Sequence, residues 1–131
     1  MPDDPADLRG GRILVVDDEP HIRRILGTLL GMEGFQVKLA RDGTDGLRAW
    51  TAGVFDLVIL DLVMPGASGL EVLAKIRSDP DRGATPVIIL TAKGQDTDRQ
   101  AALAGGADDF LTKPFSPKKL VARIREILSG G

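Results

Sequence analysis

Short apolar runs alternate along the chain with longer segments in which apolar residues recur every three or four positions. Three runs are apolar throughout, as strands covered on both faces are: residues 13–16, 57–60 and 87–90. Residues 36–40 alternate polar and apolar, as an edge strand does, and residues 110–112 form a short fifth run. The helical spacing predicts helices between and after these runs, over residues 20–32, 44–52, 69–77, 97–104 and 117–128.

Residues with capping chemistry mark several helix ends. Ser68 followed by Glu71 is a capping box, and Ser116 stands as an N-cap before a proline at the first helical position. Thr97 opens a polar segment that can cap the fourth helix, and Gly34 is expected to end the first.

Strands that alternate with helices require crossover connections and therefore a parallel sheet. The expected fold class is α/β, a doubly wound five-stranded parallel sheet of order 2-1-3-4-5, which is the flavodoxin-like (βα)5 arrangement. This order places the three apolar runs inside the sheet. Residues 12–129 are expected to form this single domain, and residues 1–11, rich in Asp, Pro and Gly, a disordered N-terminal arm.

Composition excludes several classes of function. The 131 residues contain no cysteine, so disulfides, thiolate catalysis and cysteine-ligated metals are ruled out. A net charge of −2 lacks the excess of positive charge that nucleic-acid-binding proteins carry, and no apolar run is long enough to span a membrane. The N-terminus is too acidic for a signal peptide, so we expect a cytoplasmic protein without direct nucleic-acid or membrane contacts.

Polar side chains follow four of the five strands. They are Asp17, Asp18 and Glu19 after the first, Asp61 after the third, Thr91 after the fourth and Lys113 after the fifth. Ligands of open parallel sheets bind at this carboxyl edge. Two carboxylates about 4 Å apart repel by roughly 4 kcal/mol at an effective dielectric near 20, so the cluster needs a cation. Oxygen ligands alone favour Mg²⁺, which in turn favours a phosphoryl substrate and Asp61 as its nucleophile.

The sequence resembles the receiver domains of bacterial two-component response regulators over residues 12–128. The motifs that carry the resemblance are VVDDE (15–19), LDLVMPG (60–66), ILTAKG (89–94) and ADDFLTKPFSP (107–117). It implies that Asp61 accepts a phosphoryl group from the phosphohistidine of a sensor histidine kinase or phosphotransfer protein. Such a domain is a phosphoacceptor switch, which catalyses only its own phosphorylation and dephosphorylation.

The resemblance also implies roles for the residues around Asp61. Mg²⁺, or Mn²⁺ in its place, would be bound directly by Asp18, Asp61 and the backbone carbonyl of Val63, and by Asp17 through water. Thr91 and Lys113 would hold the phosphoryl oxygens, and the Lys113–Pro114 peptide bond would be cis.

The resemblance also implies roles in switching and in dephosphorylation. Phe110 stands at the switch aromatic position and would turn inward as Thr91 moves toward the phosphoryl group. Because Phe110 lacks the hydroxyl of the more usual tyrosine, we expect the inward state to be favoured. Val63 and Lys93 flank the phosphoryl group, and neither orients a hydrolytic water as a carboxylate or carboxamide would, which predicts slow dephosphorylation.

The last third of the chain is most similar to receivers of winged-helix transcription factors, and we expect no output domain within these 131 residues. Those receivers dimerise through the fourth helix, fifth strand and fifth helix. The corresponding charged residues are Arg99, Asp108, Asp109, Lys119, Arg123 and Arg125. Because Lys119 and Arg99 would repel each other across such an interface, the sequence favours neither a homodimer nor docking of a different partner on this face.

Two other functions are compatible with parts of the pattern. A Mg²⁺-dependent phosphohydrolase would also use an aspartyl nucleophile, but such enzymes place a second acid two residues later, where this chain has Val63. A flavodoxin-like redox carrier is disfavoured because no loop is rich in the Ser and Thr that bind a flavin phosphate.

Overall fold

The computed structural model describes residues 11–92 and 95–130, which form five strands and five helices in alternation. In chain order these are β1 (Arg12–Val16), α1 (Pro20–Met32), β2 (Gln36–Ala40), α2 (Gly43–Ala52), β3 (Leu57–Leu60), α3 (Gly69–Arg77), β4 (Val87–Thr91), α4 (Asp96–Ala104), β5 (Asp109–Thr112) and α5 (Pro117–Leu128). Residues 1–10 of the expected arm, and Lys93, lie outside the described residues.

The strands form one parallel sheet of order β2-β1-β3-β4-β5, which confirms the predicted topology. The last residue of β1, Val16, pairs with Ala40 of β2 and with Leu60 of β3. On the other side, Thr91 of β4 pairs with Thr112 of β5. Since neighbouring strands end nearly level, the residues that follow them meet at one edge of the sheet.

The helices cover the sheet in two layers around two apolar clusters. One face packs against α1 and α5 through residues such as Leu26 and Ile124. The other face packs against α2, α3 and α4 through residues such as Trp50 and Ile76. β3 and β4 are buried along their whole length, whereas β2 is largely exposed, as the apolar and alternating patterns predicted for inner and edge strands.

Helix ends follow the predicted caps with one exception. Ser68 and Glu71 form the reciprocal capping box, and the Ser116 side chain accepts a hydrogen bond from the Lys119 amide. The prediction that Thr97 caps the fourth helix was wrong, because α4 begins at Asp96 after Gln95. Acidic side chains in the first turn suit the positive end of the helix dipole, so this start needs no side-chain cap.

A close approach of backbones at Gly69 sets the position of the loop after β3. A Cβ atom at this residue would lie 2.2 Å from the carbonyl oxygen of Asp61 and 2.6 Å from Leu62 Cα. The Gly69 amide donates to the Leu62 carbonyl oxygen at 3.1 Å. Only glycine lets α3 start this close to the segment that carries Asp61.

No helix among the described residues is long and apolar enough to cross a membrane.

Candidate functional site

The carboxyl edge of the sheet brings together side chains at the ends of four of its strands, β1, β3, β4 and β5. Asp17 comes directly after β1, Asp61 directly after β3 and Lys113 directly after β5, while Thr91 is the last residue of β4. Asp17, Asp61 and Thr91 are buried, at 2%, 5% and 0% exposure, and they are the buried polar or charged residues of the described chain. The sequence therefore predicted correctly which residues share this edge.

Lys113 lies at the centre of the site. Its Nζ atom is 2.8 Å from Asp17 Oδ2, 2.6 Å from Glu19 Oε1 and 3.1 Å from Asp61 Oδ2. The Lys113 side chain is only 8% exposed, so one ammonium group neutralises much of the charge of three carboxylates in a nearly dry environment. This contact removes much of the repulsion that the acidic residues would otherwise exert on one another.

The pKa values of this pair shift for different reasons. Burial lowers the pKa of Lys113, but hydrogen bonds to Asp17, Glu19 and Asp61 outweigh it and raise the pKa above its usual 10.5. For Asp17, burial is the largest influence and raises the pKa above its usual 3.8, although bonds from Lys113 and the Glu19 amide oppose it. Lys113 therefore stays charged at neutral pH, whereas ionised Asp17 carries a net cost because its burial outweighs the bonds that it receives.

Asp17 is held through both its side chain and its main chain. The Glu19 amide donates to Asp17 Oδ1 at 2.9 Å, and Arg23 Nη1 donates to the Asp17 carbonyl oxygen at 2.8 Å. Sequence reasoning placed Glu19 at the site without a role and did not single out Arg23. The sequence feature that could have pointed to Arg23 is its position in the first turn of the helix that follows the acidic loop.

An open cleft of about 380 Å³ gives access to Asp61. Its lining residues are Asp18, Glu19, Asp61, Val63, Thr91 and Ala92. Val63 is 55% exposed and its amide donates to Asp61 Oδ1 at 3.3 Å, which leaves Oδ2 facing Lys113. A small group that enters the cleft would lie between Asp61 and Thr91, which both line it.

The acidic residues of the site fit a hard divalent cation. Carboxylate oxygens of Asp17, Glu19 and Asp61 lie within 4.8 Å of one another, and an all-oxygen donor set suits Mg²⁺. Asp18 lines the same cleft but does not belong to this group of three. The structure thus brings Glu19 close to Asp61, whereas the resemblance implied Asp18 as the direct ligand.

Two features expected from the resemblance concern β5 and the residues directly after it. The Lys113–Pro114 peptide bond is cis, as expected. Phe110 is 3% exposed and packs inward against the cluster between the sheet and α2, α3 and α4. The guanidinium of Arg99 in α4 lies over the Phe110 ring, 5.8 Å from its centroid.

Charges on the expected dimer face pair within the chain. Arg123 Nε of α5 donates to Asp109 Oδ2 at 2.7 Å, and Arg77 Nη2 donates to Asp108 Oδ2 at 3.0 Å. Asp108 also accepts from the Val87 amide at 2.8 Å. An interchain ion pair at either aspartate would have to replace or share these bonds.

Arg125, which was also predicted for that face, contacts the turn between α1 and β2 within the chain. Its Nη2 atom donates to Glu33 Oε1 at 2.9 Å and to the Glu33 carbonyl oxygen at 3.1 Å, and its guanidinium lies over the Phe35 ring. Residues two apart on a helix point to nearly opposite sides, so Arg125 faces the turn between α1 and β2 when Arg123 faces β5.

Comparison with known proteins identifies the class that this fold and site define. The family model of the response regulator receiver domain matches residues 13–125. The chain belongs to this family and is a receiver domain of two-component response regulators. Receiver domains are phosphoacceptor switches, so the phosphohydrolase alternative has no support.

Among individual proteins, the chain is similar to whole transcriptional regulators and to isolated receivers. It is 42% identical over 117 residues to the transcriptional regulatory protein ResD of Bacillus subtilis, covering 89% of this chain and 48% of ResD. It is 47% identical over 122 residues to the transcriptional regulatory protein TcrA of Mycobacterium tuberculosis, covering 93% of this chain and 47% of TcrA. The chain therefore spans about half the length of the curated relatives it matches.

Solved structures give the same result for the fold. The chemotaxis protein CheY4 of Vibrio cholerae superposes with a TM-score of 0.85 at 31% identity, covering 91% of this chain and 99% of CheY4. The BeF3-activated receiver domain of DrrB superposes with a TM-score of 0.82 at 34% identity, covering 90% of this chain and 97% of DrrB.

Proposed function

We propose that Asp61 accepts a phosphoryl group from the phosphohistidine of a sensor histidine kinase or a phosphotransfer protein. The observation that carries this proposal is the position of Asp61. Asp61 directly follows the buried strand β3 and lines an open cleft. The Lys113 ammonium lies 3.1 Å from its Oδ2 atom. An anionic nucleophile beside a fixed cation is what transfer of an anionic group requires.

The proposed transfer needs only Asp61 and the phosphohistidine of the donor as reacting groups. A carboxylate oxygen of Asp61 forms a bond to phosphorus as the phosphorus–nitrogen bond of the donor breaks, and the bonding electrons return to the imidazole. In the proposed reaction, Lys113 exchanges its contact with Asp61 for one with a phosphoryl oxygen, and the Thr91 hydroxyl donates to another. Bound Mg²⁺, or Mn²⁺ in its place, would neutralise charge on the transferred group.

The residues that would hold the cation are Asp61, Asp17, Asp18 and the backbone carbonyl of Val63, as in the family. The closeness of Glu19 to Asp17 and Asp61 supports Glu19 as an additional or alternative ligand once Lys113 turns toward the phosphoryl group. These two ligand sets predict different effects of Asp18 and Glu19 substitutions.

The decisive experiment measures covalent phosphorylation. We expect the chain to gain one phosphoryl group on incubation with acetyl phosphate and Mg²⁺, detected by intact mass spectrometry. Asp61→Asn should abolish the gain, and Asp81→Asn, at an exposed aspartate in the loop between α3 and β4, should not. Phosphorylation that persists in Asp61→Asn, or none in the unsubstituted chain, would overturn the proposal.

The phosphorylated state would be read through the surface formed by α4, β5 and α5. We propose that Thr91 and Phe110 couple the site to this surface, and that Arg99, Asp108, Asp109, Lys119 and Arg123 contribute to a homodimer or to another partner interface. The relatives are transcriptional regulators, which supports a role in controlling an output domain rather than direct DNA binding by this chain. We place this activity in the cytoplasm, where sensor kinases deliver phosphoryl groups.

The lifetime of the phosphoryl group should be long. Val63 lines the cleft and is 55% exposed, and its apolar side chain cannot orient a water molecule for attack by hydrogen bonding. Lys93, the second residue to which we assign this effect, lies outside the described residues. We expect a half-life well beyond seconds at 25 °C, measured by loss of the phosphoryl adduct after removal of acetyl phosphate, and Val63→Asn should shorten it.

A further inference from the structure

Every polar atom of Asp17 is engaged, and three of its four partners lie outside the acidic loop formed by residues 17–19. The Asp17 amide donates to the Ala40 carbonyl oxygen of β2 at 3.1 Å. Its two carboxylate oxygens receive the Glu19 amide and the Lys113 ammonium. Its carbonyl oxygen accepts from Arg23 Nη1 at 2.8 Å.

The Arg23 side chain bonds to a residue earlier in the chain than a backbone hydrogen bond of the helix could reach. Arg23 lies in the first turn of α1 and its amide makes the ordinary bond to the Glu19 carbonyl oxygen, four residues earlier. Its side chain then extends two residues farther, to the carbonyl of Asp17, the first residue beyond β1. The half-buried guanidinium thus ties α1 to the point where the strand becomes the acidic loop.

We propose that Arg23 is a positioning residue for divalent-cation binding. By holding the Asp17 carbonyl, it keeps the acidic loop in the conformation that presents the carboxylates of Asp17 and Asp18 to the cation. The inference rests on the proposed function in one respect, namely that the site binds Mg²⁺. Partners that orient metal ligands without touching the metal commonly affect affinity by roughly 10-fold to 100-fold.

Charge and positioning predict opposite effects at this residue. A guanidinium close to the site repels a cation, so removing the charge alone would strengthen Mg²⁺ binding. Removing the hydrogen bond releases the Asp17 main chain and would weaken Mg²⁺ binding. The direction of the change in Mg²⁺ dissociation constant therefore separates a positioning residue from a nearby charge.

The test is isothermal titration of the full chain with MgCl₂. We expect Arg23→Met and Arg23→Gln to raise the dissociation constant by roughly 10-fold. Gln is too short to reach the carbonyl, and it provides a second polar variant should Met impair folding. Arg23→Lys keeps a charge and a donor of similar reach and should recover most of the affinity. Arg24→Met, at the exposed neighbouring position, is the matched control and should leave it unchanged.

A second readout does not involve metal. In the Mg²⁺-free chain, Arg23→Met should speed hydrogen exchange at the Glu19 amide, because the residue that accepts its hydrogen bond, Asp17, loses the contact that holds its main-chain carbonyl. Arg24→Met should not. Unchanged or tighter Mg²⁺ binding in both Arg23→Met and Arg23→Gln would overturn the positioning role. Equal weakening by the Arg24 control would overturn it too. An unsubstituted chain that binds no Mg²⁺ would instead overturn the proposed function on which it rests.

Discussion

The Nζ atom of Lys113 lies 2.8 Å from Asp17 Oδ2, and both side chains are almost excluded from solvent, at 8% and 3% exposure. The two residues are separated by most of the chain and follow strands that are not neighbours in the sheet. Lys113 also contacts Glu19 and Asp61, so the ammonium acts as the internal counter-ion of the acidic site. A divalent cation or a phosphoryl group that enters must redistribute these contacts.

Lys113 should make stability depend on pH in the alkaline range. Its pKa is raised above the usual 10.5, so its contribution to the free energy of unfolding is complete below pH 10.5 and is lost as pH rises further. Lys113→Met should lower the free energy of unfolding at pH 7 by about 1–3 kcal/mol, because three carboxylates lose their donor. The free energy of unfolding, measured in urea from about pH 9 to pH 11.5, should fall more steeply with pH for the unsubstituted chain than for Lys113→Met. The same slope in both chains would contradict a raised pKa of Lys113.

Magnesium should stabilise the chain, and the ligands can be separated by substitution. At ten times its dissociation constant, Mg²⁺ should add about 1.4 kcal/mol to the free energy of unfolding, which raises Tm by roughly 5 °C. Asp18→Asn should abolish the shift if the cation is bound as in the family. Glu19→Gln should abolish it if the group formed with Asp17 and Asp61 is the site. A Tm that does not respond to Mg²⁺ in the unsubstituted chain would exclude both ligand sets.

Substitution of Gly69 should damage folding and the site together. In Gly69→Ala the new Cβ would meet the Asp61 carbonyl oxygen at 2.2 Å, so the loop after β3 must shift. We expect a loss of at least about 2 kcal/mol in the free energy of unfolding and slower phosphorylation by acetyl phosphate.

Gly31→Ala is the matched control for Gly69→Ala. Gly31 lies in α1 with no atom within 4 Å of the position its Cβ would take. The alanine should therefore stabilise the chain by about 0.4–1 kcal/mol and leave phosphorylation unchanged. Equal losses in both variants would show that the close approach at Gly69 is not what matters.

Arg99 should favour the inward position of Phe110. The guanidinium lies 5.8 Å from the ring centroid, within the range of a cation–π contact worth about 0.5–1 kcal/mol at an exposed site. Arg99→Ala should increase the solvent-exposed population of Phe110, seen as faster relaxation of its 4-fluorophenylalanine signal by a soluble paramagnetic chelate. The chain has four phenylalanines, so Phe110→Leu assigns the signal, and Gln100→Ala is the control. The same relaxation in both variants would refute the contact's role.

The sequence by itself determined the topology and the membership of the site. Apolar runs that alternate with helical segments require a parallel sheet, and strands covered on both faces must be the inner ones. In a parallel sheet, residues that directly follow the strands share one edge, so Asp17, Asp61 and Lys113 were all expected at the carboxyl edge. Caps such as Ser68 were equally predictable, because their bonds are made within four residues of chain.

Tertiary structure alone decided which atoms meet and which way each side chain points. Glu19 rather than Asp18 contacts Lys113, across a separation of 94 residues, and this depends on how the loop after β1 is held by Arg23 and β2. Arg125 turns to the α1 side of α5, away from Arg123, because Glu33 and Phe35 are there. Spacing along a chain fixes the strand end at which a residue lies, but side-chain direction is set by contacts between segments that only folding brings together.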